Sequence, residues 1–130
     1  MAASNDPRTP SRTYVITGAA SGIGAATTAL LAAEGHRIIT VDLHDADVCV
    51  DLATPAGRTD LVDQVAQASD GRIDALIAAA GTATQGNTDI RVNYFGAVAT
   101  LDGLRPLLAA GNAPRAVGVA SYAFILPHRY

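Results

Sequence analysis

Residues Tyr14–Ala26 read YVITGAASGIGAA: a short apolar, β-branched run, then glycines at 18, 22 and 24, then an alanine-rich stretch. Thr13–Thr17 is predicted as a strand, because β-branched and aromatic residues fit a half-buried pleated surface. From Gly22 to about Glu34 the apolar residues Ile23, Ala26, Leu30 and Leu31 recur at helical spacing, so a helix follows. Two readings fit the connection between them, a phosphate cradle or an ordinary tight turn. The cradle has a physical basis. The first amides of a helix have no intrahelical acceptor, and the positive end of the helix dipole lies there, so a diphosphate is favoured at that point. Glycine suits Gly18, Gly22 and Gly24 because a Cβ would block close approach of backbone to ligand, and Ser21 adds a hydroxyl donor.

The flanking sequence supplies the setting. Gly35 is placed to end the first helix in left-handed geometry. Arg37–Asp42 (RIITVD) reads as a second strand and Asp47–Leu52 (DVCVDL) as a third. Thr54 is a candidate N-cap with Pro55 at the first helical position, opening an amphipathic helix to about Ala68. Ile73–Gly81 (IDALIAAAG) reads as a buried strand running into a glycine turn. Asn87–Ala110 reads as one long helix, weakened by Gly96, Gly103 and Pro106. Arg115–Ser121 (RAVGVAS) is a last apolar strand. Continuously apolar strands separated by helices imply a parallel sheet covered on both faces. Right-handed crossovers then give a doubly wound α/β sheet, most simply in the order 3-2-1-4-5. The glycine turn falls at the point where the strand order reverses.

Asp42 strengthens the cradle reading. At the end of the second strand, a carboxylate accepts hydrogen bonds from the ribose hydroxyls of an adenine nucleotide and repels a 2′-phosphate, so NAD is expected over NADP. Asp51 is placed to accept from an adenine amino group. No Gly-x-x-x-x-Gly-Lys occurs, which excludes a triphosphatase loop. The 130 residues fit one domain, and a net charge of -3 gives no concentrated basic face for nucleic acid. All nine basic residues are arginine; there is no lysine. Cys49, the single cysteine, is read as a small buried hydrophobe, compatible with a reducing cytoplasm. No apolar run approaches the roughly 20 residues that span a bilayer. Residues 1–12 are read as a disordered leader without a signal-peptide core. His44, with Asp45 and Asp47, is taken as a solvated loop rather than a metal site, and no metal is expected.

The spacing Thr17-Gly18-x-x-x-Gly22-Ile23-Gly24 resembles the glycine turn of the short-chain dehydrogenase/reductase family. Other segments match that family in order. Asp51-Leu52 resembles its adenine contact. Ala78–Gly81 (AAAG) stands at its Asn-Asn-Ala-Gly turn, with Ala78 and Ala79 in place of the asparagines. Val92–Gly96 (VNYFG) resembles the segment bearing its catalytic asparagine, here Asn93, and Val117–Ser121 resembles the strand ending in its catalytic serine, here Ser121. The runs GIGAAT, EGHRI and VNYFGA are similar to a bacterial hydroxysteroid dehydrogenase/carbonyl reductase branch. The resemblance covers about Tyr14–Ser121. It implies a Rossmann-like domain over residues 13–121, cut after its fifth strand, with Gly18, Ser21, Gly22, Ile23, Gly24, Asp42, Asp51, Leu52 and Gly81 binding NAD. It also implies hydride exchange between a nicotinamide and a secondary alcohol or ketone. The family's Tyr-x-x-x-Lys pair is missing, and residues 122–130 do not resemble the segment that bears it. The chain alone is therefore expected to be inactive. A non-catalytic nucleotide-binding module and a truncated gene product are the alternatives. Self-association is expected through the exposed fifth strand and the long helix.

Overall fold

The computed structural model describes residues 10–121. Among the described residues five strands form one parallel sheet: β1 (Thr13–Thr17), β2 (Arg37–Asp42), β3 (Val48–Cys49), β4 (Ala75–Ala78) and β5 (Arg115–Gly118). Their order is β3-β2-β1-β4-β5, as the crossover argument required. Tyr14 pairs with Ile38 on one side and with Ala75 on the other, so β1 lies at the centre and the reversal falls between β1 and β4.

Helix α1 (Gly22–Ala33) connects β1 to β2, and α2 (Pro55–Ala68) connects β3 to β4. Because all crossovers share one hand, the reversal sends α1 and α2 to opposite faces. Gly35 (φ 88) ends α1 in a Schellman motif: its amide bonds Ala32, and the His36 amide bonds Leu31. Thr54 caps α2 through its hydroxyl, which accepts from the Gly57 amide at 3.0 Å, with Pro55 following it.

The segment after Gly86 is helical throughout but not uniform. A short α3 (Asn87–Ile90) passes into a π-helical turn (Arg91–Gly96) and then into α4 (Ala97–Ala109), with right-handed helical dihedrals at both junctions. The glycines there are packing devices. A Cβ on Gly96 would lie 3.1 Å from Leu52 Cβ, and one on Gly103 would strike the Val62 side chain. Pro106 sits inside α4 without ending it.

The main core lies between the sheet and α2 with α4. Val15, Ile39, Val41 and Leu76 meet Leu61, Val65, Leu104 and Leu108, all buried. On the other face α1 buries only Gly24, and Ile23 and Leu30 stand exposed. At the amino ends of the strands the buried Asp74 carboxylate accepts from the amides of Thr13 (2.9 Å) and Asn112 (2.8 Å), joining β1 to the approach to β5. Arg12 adds bonds to the Asp74 and Ala113 carbonyls. No helix among the described residues is long and apolar enough to cross a membrane.

Several strands are shorter than expected. β3 spans two residues rather than Asp47–Leu52, because β2 ends at Asp42, whose carbonyl makes the last bond, to the Val50 amide. Asp51 then turns the chain, accepting from the amide of Ala53 with its carboxylate and from that of Thr54 with its carbonyl. β4 stops at Ala78 because the amides of Ala79 and Ala80 both donate to the Thr17 hydroxyl, at 3.1 Å each. Cys49 is exposed, contrary to its reading as a buried hydrophobe: it lies on the two-residue edge strand with its side chain on the uncovered side.

Candidate functional site

At the carboxyl ends of the strands lies a cavity of about 270 Å³. Its wall is built from the β1–α1 turn, the ends of β2 and β3, and the loop after β4. It is bordered by Gly18, Ser21, Gly22, Ile23, Gly24, Asp42, Asp51, Leu52 and Gly81, which brings together every residue expected at a dinucleotide crevice. Leu43, Thr82 and Val92 also border it.

The turn is tight for a reason visible in its contacts. Gly18 has φ +70, and a Cβ there would lie 2.8 Å from the Ala80 Cα. A Cβ on Gly24 would collide with the Gly18 carbonyl, so the helix start folds directly onto the turn. Ser21 precedes α1 in an extended conformation, and its side chain makes no cap to the helix amides. No acidic residue occupies the first turn. The contrast with α2, whose amide is capped by Thr54, is informative: α1 presents bare amides and an uncompensated dipole to the cavity.

Asp42 closes the other side. One carboxylate oxygen accepts from the Ala20 amide at 2.9 Å and the other from the Leu43 amide at 2.7 Å. These bonds tie the strand end to the glycine turn and leave further lone pairs on both oxygens.

Neither of the two residues matched to catalytic positions borders the cavity itself, although Asn93 stands directly behind its wall. Asn93, on the π-helical turn, spends its side chain on one peptide: Oδ1 accepts from the Thr82 amide and Nδ2 donates to the Thr82 carbonyl, both at 2.8 Å. Ser121 is exposed beyond the end of β5 and does not border the cavity. Tyr122 and Tyr130 lie outside the described residues.

Sequence reasoning missed two residues that organise this region. Asp89 accepts from the hydroxyl of Thr82 (2.7 Å), the amide and hydroxyl of Thr84 (2.9 and 2.8 Å) and the amide of Gln85 (2.9 Å). The Thr82 hydroxyl and then the Thr84 amide hold this carboxyl far below the usual range. Arg58 donates to the carbonyls of Leu52, Ala53 and Arg91 and lies over the Phe95 ring, fastening α2 to the Asp51–Leu52 side of the cavity and to the π-helical turn. The only advance signal was chemical: an acid in the first turn of a helix after a Thr/Gln loop, and an arginine one residue inside a capped turn. Among the described residues no group of three or more His, Cys, Asp or Glu side chains is placed to hold a metal ion.

No family model matches the chain. A 3-alpha-hydroxysteroid dehydrogenase/carbonyl reductase of Comamonas testosteroni is 44% identical over an alignment of 114 residues that covers 84% of this chain and 44% of that protein. The crystal structure of a 3-alpha-hydroxysteroid dehydrogenase from Pseudomonas sp. B-0831, complexed with NADH, superposes with a TM-score of 0.84 at 43% identity, over 88% of this chain and 46% of that one. A short-chain dehydrogenase/reductase from Brucella melitensis gives 0.72 at 26% identity, over 86% and 57%. The chain thus spans a little under half the length of its two more similar relatives. With more than two fifths of its residues identical to both over more than four fifths of its length, the chain belongs to the short-chain dehydrogenase/reductase family.

Proposed function

We propose that the crevice binds NAD(H) and that the chain forms the nucleotide-binding part of an oxidoreductase acting on a secondary alcohol or ketone of the hydroxysteroid/carbonyl class. The observation that carries this reading is the pairing of an uncapped helix start with Asp42 across one cavity. The residues fit the group. Bare amides at Gly22–Gly24 with the Ser21 hydroxyl suit a diphosphate, Asp42 suits ribose hydroxyls, and Asp51 with Leu52 suits an adenine. The carboxylate of Asp42 and the apolar Leu43 disfavour a 2′-phosphate. Two relatives support the class: one carries the name of a hydroxysteroid dehydrogenase/carbonyl reductase, and the other holds NADH. A bound nicotinamide supplies a hydride donor or acceptor; the chain's own residues bind and orient the dinucleotide. By family resemblance Ser121 hydrogen-bonds the substrate oxygen and Asn93 serves the proton relay. Asn93 does so through its backbone, since its side chain is held by Thr82.

The absence of lysine favours binding without turnover for these 130 residues, because no ammonium lowers a tyrosine pKa to make a general acid. The single cysteine accords with a reducing cytoplasm, where we place the protein. Calorimetric titration with NAD⁺ and NADP⁺ tests the reading: NAD⁺ binds in preference, and Asp42→Ala lowers that preference about tenfold. Absence of binding by either dinucleotide overturns it. NADH absorbance with a steroid ketone stays at background for the isolated chain.

A further inference from the structure

The loop between β4 and α3 crosses the end of the cavity opposite Asp42, and its first residues, Gly81 and Thr82, border the cavity. Short loops of small polar residues are ordinarily mobile, yet this one is gripped by two side chains one helical turn apart. Asn93 engages both polar groups of the Thr82 peptide. Asp89 takes the Thr82 hydroxyl and three donors from Thr84 and Gln85. Gln85 is held at φ 61, a left-handed conformation that non-glycine residues rarely adopt, so the grip maintains a shape the loop would not choose. In an open parallel sheet a dinucleotide crosses the reversal point. With Asp42 on the β2 side taking one ribose, the other half of the ligand lies over the exit of β4, against Gly81 and Thr82.

We propose that Asp89 is a positioning residue for the nicotinamide half of the dinucleotide, acting through the shape of the Thr82–Gln85 loop. The inference rests on the dinucleotide reading of the crevice. It assigns to Asp89 no contact with ligand. Four donors converge on one carboxylate whose replacement frees the loop while leaving the adenosine side untouched, since Asp42, Asp51 and the glycine turn share no hydrogen bond with it.

The test compares NAD⁺ with ADP-ribose, which lacks the nicotinamide, by calorimetry on the full chain. The wild type binds NAD⁺ more tightly than ADP-ribose. Asp89→Ala lowers that ratio about tenfold with ADP-ribose affinity nearly unchanged, and Asp89→Asn, which keeps one acceptor oxygen, restores part of it. Thr82→Val removes one donor and shifts the ratio the same way by less; it decides the matter if Asp89→Ala fails to fold. An unchanged ratio in folded variants, an equal loss on both ligands, or equal wild-type affinities overturns the proposal. If the wild type binds neither ligand, the dinucleotide reading itself falls.

Discussion

Gly22 and Gly24 stand two residues apart in one turn, and replacing them has different consequences. Gly24 abuts the Gly18 carbonyl, so Gly24→Ala must push the helix off the turn, and it is expected to unfold α1 or the whole chain. Gly22 has open space around its missing Cβ but φ +54, so Gly22→Ala costs only the left-handed strain of about 1–2 kcal/mol. Urea unfolding of both variants checks the contrast. Asp74 and Asp89 set the acid limit. Burial alone pushes the Asp74 carboxyl up, but the amides of Asn112 and Thr13, with the nearby Arg72, outweigh it and hold it below the usual range; Asp89 is lowered more strongly. Groups depressed in the fold stabilise it above the unfolded value of about 3.9 and lose that contribution as pH falls through the folded one. Stability therefore declines below about pH 4, and Asp74→Asn flattens the decline in an acid titration followed by circular dichroism. At this scale the glycine turn and Asp42 were legible because strand, turn and helix carry their own patterns, whereas Leu52 and Gly81 came from the family resemblance. Asp89 was not, since its partners are loop amides and hydroxyls whose placement depends on the fold. Cys49 was misread because its apolar neighbours suggested a full strand, while β2 offers β3 only two partners.

Among the elements, the long helix separates what pattern shows from what it hides. Its apolar positions foretold one helix, and one continuous run is what forms. The π-helical turn was invisible, because one extra residue leaves the apolar spacing on either side intact. Gly96 and Gly103, read as weaknesses, are the places where Leu52 and Val62 come too close for a Cβ, which no local propensity reveals. Pro106 is a true local cost: it is exposed inside α4 and supplies no amide to the helical ladder. Pro106→Ala is expected to stabilise the chain by about 1–3 kcal/mol, read as a higher thermal midpoint.

For the molecule as a whole, the strand order followed from handedness and burial pattern, but the unequal coverage of the two faces did not. Deleting core contacts under α2 and α4 is expected to be severe: Leu61→Ala costs about 2–5 kcal/mol in chemical denaturation. The edge strand β5 is exposed at all four of its residues, with Val117 54% accessible, and the long helix exposes Ile90, Tyr94 and Val98. Self-association of the 130-residue chain through these surfaces is the expected result, and Val117→Lys reduces it in sedimentation velocity. The thin seating of α1 has a last consequence. A wall that contributes its amides to a ligand but almost no side chain to the interior gains most of its order when that ligand arrives. On the dinucleotide reading proposed above, occupancy and folding of this segment are coupled, and deuterium uptake across residues 22–33 is expected to fall as NAD⁺ is added.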